Sequence, residues 1–206
     1  MRVLFVLFLL ASMQLLHAQK IVQKTIFNTE DTAIEIDASN CYAIFVETTK
    51  TNKVVVEAKM AGEYSDNLGL NIHEEGSTLL IDTSFNLTFE APNDKLSAHK
   101  VVSISLHISV PEHLKVRIFG TYSNADVSGL YSNLEISLND GNCVLRDTSL
   151  ETSVQTQSGA ITVFATSGKF SAISKYGTLD ADDIKLGEAV YNLKSVTGNI
   201  HLKKIN

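Results

Sequence analysis

A short pattern that recurs between Leu114 and Leu202 constrains this chain more than any other feature of its sequence. Four glycines mark it, at spacings of 18, 18 and 21 residues: Gly141, Gly159, Gly177 and Gly198. Matched positions around them are mostly apolar. Two residues after each glycine stand Cys143, Ile161, Leu179 and Ile200, and five before it Ile136, Val154, Ala172 and Leu193. A fixed period of this length is typical of a solenoid, in which one unit cannot bury its own apolar face and stacks on the next.

The spacing inside each unit predicts strands. Two further columns are Leu145, Val163, Ala181 and Leu202, four after each glycine, and Leu134, Thr152, Phe170 and Tyr191, seven before it. Members of neighbouring columns on each side of the glycine are two residues apart, and side chains alternate between faces with this period only in extended chain. We expect each unit to be a strand, a bend at a glycine that reaches positive φ, and a second strand. Units should pair in parallel about 4.8 Å apart. An earlier unit, with Ile118, Val127 and Gly129 and with Ala125 in the glycine position, is interpreted as a degenerate first coil.

The first 18 residues have the pattern of a secretory signal peptide. Arg2 supplies the positive start, residues 3–10 the apolar run, and Ala18 a small residue before the cut at Gln19. A membrane anchor is the alternative, but the run is shorter than the ~20 residues that a span needs. Cleavage would remove one basic residue, Arg2, and no acidic residue. The mature chain would then have 16 basic and 23 acidic residues, a net charge of −7. This balance argues against a nucleic-acid partner, and no transmembrane segment is expected in the mature chain.

Residues 19–112 are rich in predicted strands but lack the 18-residue period. Alternation indicates strands at 33–37, 41–47 and 54–60, and a hairpin turning at Gly76. Residues 83–100 are the best candidate for a long loop, and the strand that follows should stop at Pro111, which cannot donate a ladder hydrogen bond. We expect one all-β domain over residues 19–206, a parallel β-helix-like solenoid. Its less regular part, 19–112, continues into or caps the regular coils of 113–206.

The order of these features resembles families of exported bacterial adhesins. The strand pair running through Glu75, Gly76 and Leu79, the strand ending at Pro111, and the repeated Gly-x-apolar-x-apolar units are similar to DUF4097 and DUF2807, the latter called the auto-transporter adhesin head domain. The resemblance covers nearly all of residues 20–206. It implies a parallel β-helix-like solenoid and an adhesin role, and such sequences are common in Bacteroidota. The predicted signal peptide indicates export, to the periplasm, the cell surface or the medium. The resemblance supplies no catalytic residue, and without a lipobox or sorting module the mode of anchoring stays open.

Catalytic and metal-binding chemistry has only a faint signal in the sequence. No column places two acids on adjacent coils, as a glycosidase would need. An Asp180 or Asp182 facing Asp147 or Glu135 in a groove would indicate such an enzyme. Asp180, Asp182 and Asp183 cluster within one coil, where they could hold a hard cation or form a solvated corner. We expect no enzyme activity and no cofactor.

The two cysteines have two interpretations. Cys41 and Cys143 are an even pair in an exported chain, which permits a disulfide. Cys143 also occupies the column of Ile161 and Ile200, so that it equally suits a small inward hydrophobe. The sequence leaves both interpretations open.

The candidate binding surface is a polar sheet face. Hydroxyl and amide side chains should line it, namely Ser153, Gln155, Gln157, Thr162, Ser171 and Ser174. Such a face could bind a glycan or a cell-surface protein through many weak contacts, or be plain solvated sheet. The leading hypothesis is a non-enzymatic exported adhesin or surface-interaction module. The alternatives are a carbohydrate-active β-helix enzyme and a periplasmic envelope-stress or structural protein that binds a protein partner. The oligomeric state and the handedness of the solenoid are not predicted.

Overall fold

The computed structural model describes residues 19–27, 33–89, 102–148 and 150–205. The predicted signal peptide, residues 1–18, lies outside this part, as does most of the predicted loop at 83–100. The described residues form an all-β structure of seventeen strands with one 3-10 turn at Ser65–Asn67. They include no helix of the length and apolarity needed to cross a membrane.

The strands are arranged in two mixed sheets. In chain order they are β1 Lys20–Phe27, β2 Ala33–Asp37, β3 Ala43–Thr49, β4 Lys53–Gly62, β5 Leu68–Glu75, β6 Thr78–Phe85, β7 Val102–Pro111, β8 Lys115–Gly120, β9 Asn124–Ser128, β10 Asn133–Leu138, β11 Cys143–Arg146, β12 Glu151–Thr156, β13 Ile161–Ala165, β14 Ser167–Ser174, β15 Leu179–Ala181, β16 Lys185–Ser195 and β17 Ile200–Lys204. Sheet A has the order β1-β4-β7-β3-β9-β11-β13-β17-β15, and sheet B the order β14-β16-β12-β10-β8-β2-β6-β5.

The repeated units contribute one strand to each sheet. From β8 onward, even-numbered strands lie in sheet B and odd-numbered strands in sheet A, with the glycine bend between them. All ladders between these units are parallel, and the predicted columns are in register: Ile136 pairs with Val154, Val154 with Leu193, and Leu193 with Ala172. The inward members are buried in the interior units because successive side chains of a strand point to opposite faces.

The predicted stacking of every unit on the next in sequence is wrong for the last two units. The unit of β16 and β17 lies between that of β12 and β13 and that of β14 and β15. The final unit is thus inserted, and the one before it forms the end of the stack. The chain skips one strand position between the units of Gly159 and Gly177, which are 18 residues apart, and returns by one position between the units of Gly177 and Gly198, which are 21 apart.

Close backbone approach, and not positive φ, explains the glycines at the bends. The glycines with positive φ in the described residues are Gly62, Gly76 and Gly129, outside the predicted column. A Cβ atom on Gly159 would lie 1.8 Å from the carbonyl oxygen of Gly141, so that neighbouring bends touch where only glycine fits. The degenerate first unit has Ser123 in this position, and not Ala125 as predicted, because Ala125 pairs with Cys143.

Side chains hold the bends in place. Three residues before Gly159, Gly177 and Gly198, a hydroxyl faces the bend. That of Thr156 donates to the carbonyl of Gly159 at 2.7 Å, and that of Ser195 accepts from the N–H of Gly198 at 2.9 Å. Ser174 accepts from the N–H of Gly177 at 2.9 Å in the end unit. These bonds satisfy polar backbone groups that the turn leaves out of the ladders.

The N-terminal half joins the same two sheets. β2 pairs in parallel with β8, and β3 with β9, whereas β1, β4 and β5 form antiparallel ladders. The predicted hairpin is confirmed as β5 and β6, with Gly76 at φ 61° in the turn. β7 ends at Pro111 as expected. The predicted loop begins later than residue 83, since β6 continues to Phe85.

The two sheets share one apolar core, in which Tyr131 and Tyr191 are the largest fully buried side chains. The Tyr131 hydroxyl donates to the carbonyls of Ser128, at 2.9 Å, and Val46, at 3.2 Å. Both cysteines are buried free thiols, and Cys143 pairs with Ile161 in the inner column. Burial raises the pKa of the Cys41 thiol to about 11 and raises that of Cys143 further, so that both are poor nucleophiles.

Candidate functional site

The outer face of sheet B carries a polar trough, built from matched positions of successive units. One row runs Phe119, Ser137, Gln155 and Lys194, one residue from each of β8, β10, β12 and β16. Two adjoining cavities of about 580 and 350 Å³ lie over this face, and they share Ser137 and Gln155. The repeat therefore produces a continuous surface in which each unit adds one side chain.

The larger cavity of the trough lies beside the bends. Its lining combines Phe119, which is 39 % exposed, with the side chains of Gln155, Gln157, Asn139 and Lys194. The Gln157 N–H donates to the carbonyl of Asn139 at 2.9 Å, which fixes the corner of the chain. Amides offer both donors and acceptors, an aromatic ring offers an apolar surface, and the lysine adds a positive charge. This combination suits a ligand with hydroxyl groups and an apolar ring face.

The smaller cavity of the trough contains two carboxylates, Glu135 and Glu151. Glu135 pairs with Ser153, and Glu151 lies two residues before Ser153 on the same face. The diagonal separation of their Cα atoms is about 8 Å, from a strand spacing of about 4.8 Å and a rise of about 3.3 Å per residue. Comparing positions within single columns misses this pair, which a comparison of diagonal positions would find.

The predicted binding residues do not share one surface. Ser153, Gln155 and Gln157 line the trough. Ser171 is in the same row as Ser153, but Asn192 of β16 separates them, because Ser171 lies on the end strand β14. Thr162 lies on β13, on the outer face of the other sheet, sheet A.

Ser174 was expected to face outward, but it belongs to an inner column. It pairs with Ser195, which is buried, and its hydroxyl donates to the carbonyl of Gly198 at 2.7 Å. The reason is the strand period: Ser174 has the same parity as Phe170 and Ala172, which face inward.

The predicted cation site at Asp180, Asp182 and Asp183 contains a lysine. The Lys203 ammonium lies 2.7 Å from an oxygen of Asp180 and 3.5 Å from one of Asp182, and Asp182 also accepts the Lys204 N–H at 3.0 Å. Lys203 holds the pKa of the Asp180 carboxyl below its ordinary value, and Asp180 raises the pKa of Lys203. In the part of the chain that the structure describes, no three His, Cys, Asp or Glu side chains are grouped to hold a metal ion. Asp183 is exposed.

The carboxylate arrangement named as the mark of an enzyme is absent at the named positions. Asp180 and Glu135 project from outer faces of opposite sheets. Asp147 follows β11, which is three strand spacings, or about 14 Å, from β15 and Asp182. Paired glycosidase carboxylates are about 5–10 Å apart, so none of the four pairings named from the sequence suits that chemistry.

A third cavity, of about 310 Å³, lies on the outer face of sheet A. Phe45 and His107 stack there with ring centroids 4.5 Å apart, and the Ser109 hydroxyl donates to Glu47 at 3.1 Å. Sequence periodicity gave no indication of this contact, because β3 and β7 lie in the irregular half.

The structure thus defines a class, an all-β protein of two mixed sheets with a polar face made by repeated units. No protein-family profile matches the sequence, and no curated protein matches it significantly. The fold is similar to that of a putative cell adhesion protein from Clostridium sporogenes, with a TM-score of 0.63 and 10 % identity over 91 % of this chain and 100 % of that one.

Two further solved structures are less similar. A putative adhesin from Bacteroides fragilis has a TM-score of 0.40 and 12 % identity over 91 % of this chain and 98 % of its own. One from Parabacteroides merdae has a TM-score of 0.41 and 15 % identity over 89 % and 82 %. At these identities the likeness concerns the fold, and of the three only the Clostridium protein is similar enough to support an argument.

Proposed function

We propose that the mature chain, residues 19–206, is an exported, non-enzymatic β-solenoid domain that acts as an adhesin or cell-surface interaction module. The polar trough on sheet B carries this proposal, because it is an exposed surface of repeated design with mixed apolar and hydrogen-bonding groups. The shared fold with a protein described as a putative cell adhesion protein supports it. The resemblance of the sequence to DUF4097 and DUF2807 is consistent with the solenoid fold and with the adhesin role.

The chemistry of the trough favours a glycan as the ligand. Phe119 offers a ring surface for the C–H face of a sugar, and Gln155 and Gln157 offer amide groups for its hydroxyls. Lys194 favours a sugar that carries a carboxylate or sulfate group. Each contact is weak, so the affinity depends on several units contributing together.

A glycan-array screen of residues 19–206 tests this function directly. Glycans that bind the wild-type chain should bind the double variant Gln155→Ala/Gln157→Ala at least about tenfold more weakly, because two hydrogen-bonding groups are lost. Thr162→Ala, on the other sheet, is the matched control and should bind as the wild type does. Equal binding by all three chains would place the glycan site elsewhere, and a lack of binding to any glycan would contradict the glycan assignment.

Surface location separates an adhesin from a periplasmic protein. Protease treatment of whole cells should remove an adhesin, whereas a periplasmic structural or envelope-stress protein would stay intact. An intact chain after such treatment would overturn the adhesin role, even if a glycan is bound.

The carboxylates Glu135 and Glu151 are a specific reason to test a carbohydrate-active enzyme as the second candidate. Their Cα atoms are about 8 Å apart on the same face, so that the two flexible side chains could bring their carboxyl groups to the separation of about 6.5–9.5 Å used by inverting glycosidases. Release of reducing sugar from glycans bound on the array measures this activity. The non-enzymatic proposal predicts no release of sugar. Release by the wild type that Glu135→Gln abolishes would contradict that proposal and support the enzyme in its place.

A further inference from the structure

Among the residues that the structure describes, one end of the strand stack has unpaired backbone edges in both sheets. β14 is the last strand of sheet B and β15 the last of sheet A, and each pairs on one side only, with β16 and β17. β14 is eight residues long, contains no proline and carries one charge, that of Lys169. Long, nearly uncharged edge strands are templates for pairing with another chain.

The apolar core is open at the same end. Leu179, whose column partners Ile200 and Ile161 are fully buried, is 52 % exposed. Ala181 is also exposed, although it pairs with the buried Leu202. Phe170 stacks on Tyr191 with ring centroids 4.8 Å apart and covers only part of the opening. The inner columns therefore end in half-exposed side chains, and a further layer would bury them.

The opposite end of the stack is closed by lysines. The Lys20 ammonium of β1 donates to the carbonyl of Leu68 at 2.7 Å, and that of Lys24 donates to the carbonyl of Leu70 at 2.6 Å. Both carbonyls belong to β5, the last strand of sheet B at this end, so these side chains link the two sheet edges. Charge on an edge strand discourages pairing with another sheet. A head-to-tail filament would need this end and is disfavoured.

We propose that the end formed by β14 and β15 is an interface between two copies of this chain. A two-fold axis normal to the two sheets reverses the direction of every strand within its sheet, so that β14 and β15 each pair with their own copy in antiparallel fashion. A contact of this kind uses the same patch twice and closes as a dimer. It adds the missing layer over the core at the one end that lacks lysine caps.

The register and size of the interface are set by β14. Pairing Ser171 with its own copy places Phe170 opposite Ala172, both inward, and Lys169 opposite Ile173, so that no like charges meet on this strand. Eight residues span about 26 Å, and two sheets with their side chains about 20 Å, which buries about 500 Å² on each copy. The total of about 1,000 Å² is at the lower limit for specific interfaces, so the dimer should depend on concentration.

Sedimentation velocity over a range of concentrations tests this interface with residues 19–206. The wild type should pass from monomer to dimer, and Leu179→Lys should raise the dissociation constant at least about tenfold, because it buries a charge in the contact. Ile21→Lys is the matched control, since Ile21 is 57 % exposed on the edge strand at the capped end, and it should leave the dimer unchanged. A wild-type monomer at all concentrations, an open series of larger assemblies, or a dimer sensitive to Ile21→Lys would overturn the proposal.

Cross-linking tests the register without relying on Leu179→Lys. Ser171→Cys should form an intermolecular disulfide under mild oxidation, because the two Cβ atoms would lie about 5 Å apart across the axis. The native Cys41 and Cys143 are buried and contribute little background. Ser153→Cys, on the same sheet but in an interior unit, should form no intermolecular disulfide after oxidation. Absence of the Ser171→Cys cross-link from a chain that forms dimers would exclude the two-fold pairing.

Discussion

The two ends of the strand stack solve the same physical problem differently. At one end, β1 and β5 are the edge strands of the two sheets, and the Lys20 and Lys24 side chains cover backbone carbonyls of β5. At the other end, β14 and β15 have no comparable cover in the described residues, and Leu179 is half exposed. The unpaired edge of a sheet accepts a further strand, and charge on that edge discourages it, so the lysines make the two ends differ.

The interior of the stack also differs from its open end in how tightly it constrains substitution. The interior bends have a neighbour on both sides, whereas the bend at Gly177 has only that of Gly198. The same glycine bend is therefore confined between two neighbours in the interior, whereas at the end of the stack it can shift outward.

The largest difference is expected between Gly159→Ala and Gly177→Ala. A Cβ atom on Gly159 would lie 1.8 Å from the Gly141 carbonyl oxygen, which cannot move away without separating two units, at a cost of about 3 kcal/mol. On Gly177 the nearest atom is the Gly198 carbonyl oxygen at 2.4 Å, and the end unit can shift outward, at a cost of about 1 kcal/mol. Urea unfolding measures both values. Equal losses would show that the end unit is held as firmly as the interior.

The next largest effect concerns the hydroxyls at the bends. Ser195→Ala leaves the Gly198 N–H without its acceptor at a buried site and should lower the free energy of unfolding by about 2 kcal/mol. Ser174→Ala removes the equivalent bond at the partly exposed bend of Gly177, where water can replace it, and should cost about 0.5 kcal/mol. Thermal unfolding of the two variants checks this order, and the reverse order would contradict the contrast between interior and end.

Removal of the lysine caps should make the two ends more alike. Lys20→Ala/Lys24→Ala frees the carbonyls of Leu68 and Leu70 and should lower the free energy of unfolding by about 1 kcal/mol. It should also add assemblies larger than a dimer, because a second edge becomes available. Light scattering measures the mass of the assemblies. A variant that behaves as the wild type would show that the lysines do not protect the edge.

The smallest effect is the pH dependence of the ion pair at the open end. The pKa of Asp180 is below its ordinary value of 3.8, chiefly because of its hydrogen bond to Lys203. Its contribution to stability is therefore fully present above pH 3.8 and is lost as the pH falls through the lower folded-state pKa. Asp180→Asn should reduce the difference in melting temperature between pH 6 and acid pH slightly, because the pair is exposed. An increase in that difference would contradict this assignment.

The regular period allowed the pairing register of the four glycine-containing units to be predicted residue by residue, whereas the first unit was predicted two residues out of register. The columns of Ile136 and of Cys143 follow from spacing alone, because the alternation of a strand and the length of a unit leave one register that buries every apolar position. The hairpin at Gly76 was equally readable from its turn residues. Part of the trough, Ser153, Gln155 and Gln157, followed from the same alternation.

Other features depend on contacts that no single column records. The pairing of Glu135 with Glu151 across a diagonal, and the stacking of Phe45 on His107, appear only once the strands are placed side by side. The requirement for glycine at 141 and 159 was predicted, but its cause is the distance between neighbouring bends. Local conformation alone could not give that cause.

By itself the sequence determined that the chain forms strands, which side chains of each repeated unit face inward, and how the units are registered. The tertiary structure decided that the last unit inserts before the end unit, that β1 and β5 close one end, and that β14 and β15 leave the other open. The physical reason is that Leu193 and Ala172 fit the same apolar column, and a parallel ladder pairs equally well on either edge. Stacking order and end closure therefore depend on the connections between units and on which edge charges cover.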